Sequence, residues 1–246
     1  MRIGLMTAWN DLYAALAQIT HPIMDKYCQR HGYELLAGPW YHDNDGENWR
    51  MSRGDLCKSA MFLNNADQFD ILMWLDVDSI IMNHAIGIEE TLQLAGRAGD
   101  KSVAWQVAER ERYGEVSGYE LAPLRGRDWL WTCNTDGPMS GFWIGRTTPF
   151  VRAWVHRFAF ACAYEYGGGD QYAMREVAKW APYDRLTEDC LWGRLAGHCF
   201  APEVGTRPGM EDTILYQPGD WIVTFPGLDI ARRIDLMAQY AEKVTL

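Results

Sequence analysis

No apolar run in this chain approaches the roughly 18 residues that a membrane-spanning helix needs. The opening run, Met1 to Thr7, is also too short for the apolar centre of a secretory leader. None of the six cysteines (Cys28, Cys57, Cys133, Cys162, Cys190, Cys199) forms a C-x-x-C pair, which removes a zinc knuckle. Scattered in this way, they read as reduced thiols in a cytosolic protein. Basic residues are in deficit, 23 Lys and Arg against 33 Asp and Glu, for a net charge of −10. No basic stripe is visible, which argues against tight non-specific binding of nucleic acid, and polyanions are repelled at long range. Internal repeats and low-complexity linkers are missing as well.

What is present suits one folded unit. A chain of 246 residues with 48% apolar content buries a sizeable core, and the reading is a single domain over 1–246. Within it, 1–107 and 108–246 serve as two functional halves. Twelve tryptophans and twelve tyrosines suit sugar-face stacking, but a large core uses such rings as well and is the commoner reason for them. Arg2–Met6, Tyr33–Leu36, Phe69–Leu75, Ser79–Met82, Ser102–Val107, Met139–Ile144 and Trp221–Phe225 read as strands. Helical patterns fill Asp11–Arg30, Asp55–Ala66, Ile86–Ala95, Asp170–Lys179 and Asp229–Lys243. A further helix starts at Thr148-Pro149, with a capping residue and then proline at the first position. Pro22 predicts a break or a new helix start, and Gly32 a helix stop. Trp40–Arg53 and Glu109–Pro138 read as long polar loops, the second long enough to imply function. Strands alternating with helices through the first half imply an α/β sheet covered by helices, with ligands outside the carboxyl ends of the strands.

The strongest local feature is Ile71-Leu72-Met73-Trp74-Leu75-Asp76-Val77-Asp78. A continuous apolar run of this kind is a buried strand, and it delivers two carboxylates just beyond its end. In extended backbone residues i and i+2 face one side, so both side chains reach a single cation. Hard cations such as Mg²⁺ or Mn²⁺ take such oxygens and share themselves with substrate phosphates. That cation would also offset the repulsion between the acidic chain and a diphosphate. The same pattern occurs as an aspartate-rich turn, and in haloacid-dehalogenase-type phosphatases, where the first aspartate is a nucleophile and the second an acid/base. Against the phosphatase, 75 residues precede the motif, which there sits on the first strand, and no downstream lysine and acidic pair complete the set.

Several segments together resemble a known family. Tyr27–Tyr33, Asp55-Leu56-Cys57-Lys58, Phe69–Asn83, Ser140–Arg146, Gly169-Asp170-Gln171 and Gly219–Gly227 occur in the order found in the galactosyl-, mannosyl- and xylosyltransferases of fungal Golgi and plant xyloglucan synthesis. The bacterial lipopolysaccharide galactosyltransferases and glycogenins are more distantly similar. The resemblance implies a Rossmann-like glycosyltransferase-A (GT-A) fold, a mixed and mostly parallel sheet flanked by helices. It also implies a nucleotide-diphosphate sugar donor (UDP-linked in preference to GDP-linked), Mn²⁺ or Mg²⁺, and retention at the anomeric centre. On that basis Asp76 and Asp78 hold the metal, and Asp76 also contacts the donor. Asp170 orients the donor sugar, and Gln171 lies beside the anomeric carbon. Thr7, Trp9 and Asn10 meet the nucleotide base, and Lys58 approaches the diphosphate.

Each of these residues also has a plainer reading. Asp170 after three glycines suits a helix N-cap, Trp9 a core tryptophan, Lys58 a surface lysine, and Arg232-Arg233 a solvated helix face rather than a phosphate contact. Trp40, Trp49, Trp129 and Trp131, placed in the two loops, are candidates for stacking on an acceptor. His21, His31 and His42 show no metal spacing and read as structural.

Two departures stand out. Thr224 occupies the place of the family's third metal ligand, a histidine, for which His84, His198 or Asp229 would have to substitute in space. The asparagine that opens the family's equivalent of the Ser140 strand is absent. These departures leave room for a relative that binds nucleotide sugar without transferring it. The acceptor, whether glycan, lipid-linked sugar, protein or nucleobase, is open. Without a membrane anchor, the chain is expected to be cytoplasmic and of bacterial or viral origin.

Overall fold

The computed structural model describes residues 1–40, 56–91, 129–134, 137–165, 170–174, 190–192, 198–205 and 215–245. Trp49, His42, the expected strand Ser102–Val107 and most of the segment Glu109–Pro138 lie outside them. Strands occupy Ile3–Trp9 (β1), Glu34–Pro39 (β2), Ile71–Leu75 (β3), Ser79–Ile81 (β4), Trp129–Asn134 (β5), Gly137–Arg146 (β6), Cys190–Trp192 (β7), His198–Phe200 (β8) and Ile222–Thr224 (β9). Helices occupy Ala14–His31 (α1), Cys57–Asn65 (α2), Pro149–Phe160 (α3), Pro202–Gly205 (α4) and Ile230–Ala241 (α5). A helical turn covers 170–174.

The main sheet runs β2-β1-β3-β6-β5-β7, and a small sheet runs β4-β9-β8. β1 is parallel to both neighbours, β6 is antiparallel to β3 and β5, and β5 is parallel to β7. The sheet is therefore mixed, and the β3–β6 pairing joins strands from either side of residue 107 without interruption. All five residues of β3 are buried, as its unbroken apolar run requires. Its side chains alternate between two cores. Leu72 and Trp74 join Phe62, Trp143, Trp154 and Phe158 on the α2 and α3 side. Ile71, Met73 and Leu75 join Met24, Tyr27, Phe142 and Trp221 on the α1 side. A third cluster sets α1 and α5 against the small sheet through Leu16, Ile80, Val223, Phe225, Leu236 and Met237.

Several local signals act as read. Gly32 closes α1 at φ 71° in the left-handed region, its N–H donating to the Cys28 carbonyl. Thr148 caps α3, its hydroxyl accepting from the Val151 N–H. Two elements differ. Pro22 lies inside α1, which continues without a break. The buried stripe Leu16, Ala17, Thr20, Met24, Tyr27 and Cys28 spans both sides of the proline, and burial of that face outweighs the missing hydrogen bond. Residues 129–134, assigned to a loop, form β5, which pairs with β6 from Trp129↔Gly145 to Asn134↔Gly137. Trp129 and Trp131 thus belong to an interior strand of the sheet and not to a polar loop.

Candidate active site

β3 ends at Leu75, and the chain turns at once. The Asp76 N–H donates to the Gly141 carbonyl on β6 at 2.8 Å, and the Ser79 N–H closes a turn onto the Asp76 carbonyl at 3.1 Å. The Asp78 carbonyl accepts from the Phe225 N–H at 3.0 Å, just past β9. The two aspartates therefore converge through a turn held by two other strands. Extended alternation, the basis for expecting them on one side, is not how they meet. Both line a pocket of about 320 Å³ together with Trp9, Asn10, Tyr13, Trp40, Lys58 and Asp170. A volume of that order suits a small ligand.

Lys58, on the first turn of α2, is the hub. Its side chain is only 8% exposed, with Nζ 2.8 Å from Asp76 Oδ1 and 2.5 Å from Asp170 Oδ2. It also donates to the Ser140 carbonyl at 3.1 Å and lies 5.5 Å from the centre of the Trp74 ring. Burial by itself lowers an ammonium pKa, but the two carboxylates override it and hold Lys58 charged. Burial likewise raises the Asp170 carboxyl, yet the Lys58 charge outweighs that and keeps it below the ordinary carboxylate range. Lys58 is thus no surface lysine.

Asp76 Oδ1 accepts a second bond, from the Trp74 indole N–H at 2.7 Å, so the strand that delivers the carboxylate also aims it. Gly141 presses on the other oxygen: a Cβ there would sit 3.1 Å from Asp76 Oδ2. Asp170 accepts from the Gln171 N–H through Oδ1 at 2.8 Å, a bond to the next residue rather than the N2 or N3 bond of a helix cap, while Oδ2 pairs with Lys58.

Asp78 is held by a residue the sequence reading put on a solvated face. Arg233 on α5 is 6% exposed, and its Nη1 donates to Asp78 Oδ2 at 3.0 Å while Nη2 donates to the Leu228 carbonyl at 2.8 Å. The correction has a readable cause. The buried positions of α5 are Arg233, Leu236, Met237 and Tyr240, a single helical stripe that includes the arginine. Burial, and then the Asp76 charge, push the Asp78 carboxyl up to about 6 against the pull of Arg233 and Lys58.

The remaining candidates divide. Trp9 and Asn10 line the pocket, Trp9 with an edge contact to His21 and Asn10 as a cap accepting from the Tyr13 N–H at 3.2 Å. Trp40 lines it too, its backbone N–H donating to the Trp9 carbonyl. Thr7 is 1% exposed in β1 and is not part of the wall, nor is Gln171. Thr224 turns its hydroxyl to Ser79, 2.9 Å away across the β4–β9 pair. His84 packs edge-on against Tyr27, His198 is part of β8, and Asp229 caps α5 by accepting from the Arg232 N–H.

Two carboxylates are what remains for a cation. Asp76 Oδ2 and Asp78 Oδ1 have no side-chain partner among the described residues, and no group of three or more His, Cys, Asp or Glu able to hold a metal occurs among them. This donor set fits a hard cation that completes its shell with water and ligand phosphates, not one enclosed by protein.

No protein-family model matches the chain, and no curated protein matches it by sequence. Solved structures do match in fold. A glycosyltransferase involved in glycosylation of the major capsid of PBCV-1 superposes with a TM-score of 0.58 at 11% identity, covering 97% of this chain and 100% of its own. The glycosyltransferase GlyE of Streptococcus pneumoniae TIGR4 superposes with a TM-score of 0.51 at 10% identity, and the chain spans 60% of its length. Among the described residues no helix is long and apolar enough to cross a membrane. The mixed sheet with its flanking helices and these likenesses together give the chain a GT-A-like fold.

Proposed function

We propose that this chain is a retaining glycosyltransferase that moves a hexose or pentose from a nucleotide-diphosphate sugar, UDP-linked in preference to GDP-linked, to an acceptor hydroxyl. The observation that carries the reading is the meeting of Asp76, Asp78, Lys58 and Asp170 in one pocket at the carboxyl end of β3. Asp76 and Asp78 would hold Mn²⁺ or Mg²⁺, which when bound neutralises charge on the leaving diphosphate. Lys58 places a fixed positive charge beside the same point without solvent reorganisation. Asp170, kept ionised by Lys58, orients the donor sugar; the place of Gln171 beside the anomeric carbon rests on the family resemblance alone, since it is not part of the pocket wall. Trp9, Tyr13 and Trp40 supply flat apolar walls for base or sugar. Buried thiols at Cys28, Cys57, Cys162 and Cys199 accord with work in a reducing cytoplasm.

Calorimetric titration of UDP and GDP with Mn²⁺, with Mg²⁺ and with EDTA tests the site. Metal-dependent binding that is lost in Asp78→Asn is the expected result, followed by slow hydrolysis of the matching nucleotide sugar. No binding of either nucleotide under any condition overturns the reading. One observation favours a second reading, a nucleotide-sugar-binding protein without transferase activity: Thr224 is committed to Ser79 where the family has a metal ligand. Donor binding with no hydrolysis and no transfer to any acceptor would select it.

A further inference from the structure

Arg233 is a charged group the donor reading does not use. It sits behind Asp78, outside the pocket wall, with its side chain 8% exposed. One nitrogen holds Asp78 Oδ2, another holds the Leu228 carbonyl, and the guanidinium carbon lies 5.6 Å from the centre of the Tyr13 ring, itself a pocket residue. Its Nε is buried without a partner. A guanidinium fixed on three sides is not free to leave and remains a permanent neighbour of Asp78. On the other side of the turn Lys58 occupies Asp76 Oδ1. Each of the two carboxylates offered to a cation is already paired with a buried positive charge.

We propose that Arg233 is a resident counter-ion that prevents Asp78 from binding a divalent cation by itself, so that the cation enters only together with the nucleotide diphosphate. This rests on the donor reading above and adds an order to it. With one oxygen of Asp78 neutralised, a bare dication meets one carboxylate oxygen from each aspartate, no third ligand among the described residues, and repulsion from two fixed cations nearby. A diphosphate brings negative charge and further oxygen ligands to the same point, and the balance reverses. Arg233 is in this sense a positioning residue: it sets the coupling between two ligands and touches neither. The coupling is reciprocal, so the factor by which nucleotide tightens metal equals the factor by which metal tightens nucleotide.

The test reads metal directly, by the electron paramagnetic resonance signal of free Mn²⁺ at pH 8, with and without saturating UDP or GDP. Wild type is expected to bind bare Mn²⁺ at least tenfold more weakly than in the presence of nucleotide. Arg233→Gln, which keeps hydrogen-bond donors and drops the charge, is expected to bind bare Mn²⁺ about tenfold more tightly than wild type and to show a correspondingly smaller coupling. Bare Mn²⁺ bound by wild type as tightly as in the ternary mixture overturns the proposal, and this arm needs no variant. Unchanged bare Mn²⁺ affinity in a folded Arg233→Gln overturns it too. Absence of nucleotide binding with every cation is a separate failure, that of the donor site itself.

Discussion

At the scale of single residues, the site depends on two buried cations, Lys58 set against two carboxylates and Arg233 against one. Lys58 bridges Asp76 and Asp170, so Lys58→Met leaves two partly buried carboxylates without the cation they share. Removing one partner of a fully buried pair typically costs about 3–5 kcal/mol, and denaturant titration of Lys58→Met should find a smaller loss, on the order of 1–3 kcal/mol, because both carboxylates keep part of their hydration. Gly141 makes a different demand. A methyl group 3.1 Å from Asp76 Oδ2 displaces a carboxylate whose other oxygen is fixed by Lys58 and Trp74. Gly141→Ala should therefore weaken metal-dependent nucleotide binding about tenfold by calorimetry while leaving the melting temperature within a few degrees of wild type. Asp76 and Asp78 could be found in the sequence because a buried strand and its terminal carboxylates are contiguous. The partners of those carboxylates come from distant segments, and nothing local marks them. Lys58 entered through family resemblance alone. Arg233 carried a usable signal, its place on the apolar stripe of α5, and adjacency to Arg232 disguised it as half of a surface pair.

At the scale of elements, the readable ones had a single strong determinant. The run Ile71–Leu75, the Gly32 stop and the Thr148-Pro149 start each fix structure by local sterics or capping. β5 escaped notice because the glycine and arginine content around it suggests loop, while its stability comes from pairing on both edges with β6 and β7. Pro22 misled in the opposite direction, since packing of α1 overrides a local breaker.

The connection after β4 carries a pH-sensitive element. His84 is 1% exposed, its carbonyl bonded to the His31 ring, and burial first, then Arg30 and His31, lower its imidazole to about 4. In the unfolded chain the ordinary value is about 6.5. Above that value both states are neutral and the full stability is present. As the pH falls from 6.5 toward 4 only the unfolded state takes up the proton, so stability is lost across that window. Thermal melts at half-unit steps should show this decline, and His84→Gln should flatten it. An equal slope in the variant would assign the decline to other groups.

At the scale of the molecule, the ligand proposed for this acidic chain is itself an anion. The net charge of −10 repels a nucleotide diphosphate at distances where Lys58 and Arg233 are not resolved from the carboxylates around them. Salt screens this repulsion within a Debye length of about 8 Å at physiological ionic strength. Stopped-flow association of Mg²⁺-loaded nucleotide should speed up about twofold between low and physiological salt, and a slowing would show that the local cations govern the encounter. Acidity of this kind was legible from composition. The way β1–β3 and β5–β7 merge into one sheet was not, since it depends on the antiparallel β3–β6 pairing across a long intervening segment.

The Asp78–Arg233 pair spans 155 positions of chain. At synthesis rates of about 5–20 residues per second, the ribosome takes on the order of ten seconds to make that interval. Throughout it the nascent protein carries Asp78 without the guanidinium that pairs with it, and α1 without the α5 surface it packs on. The aspartate pair is therefore made early and completed late, and a translational pause before residue 233 would prolong a form whose carboxylates still lack their counter-ion.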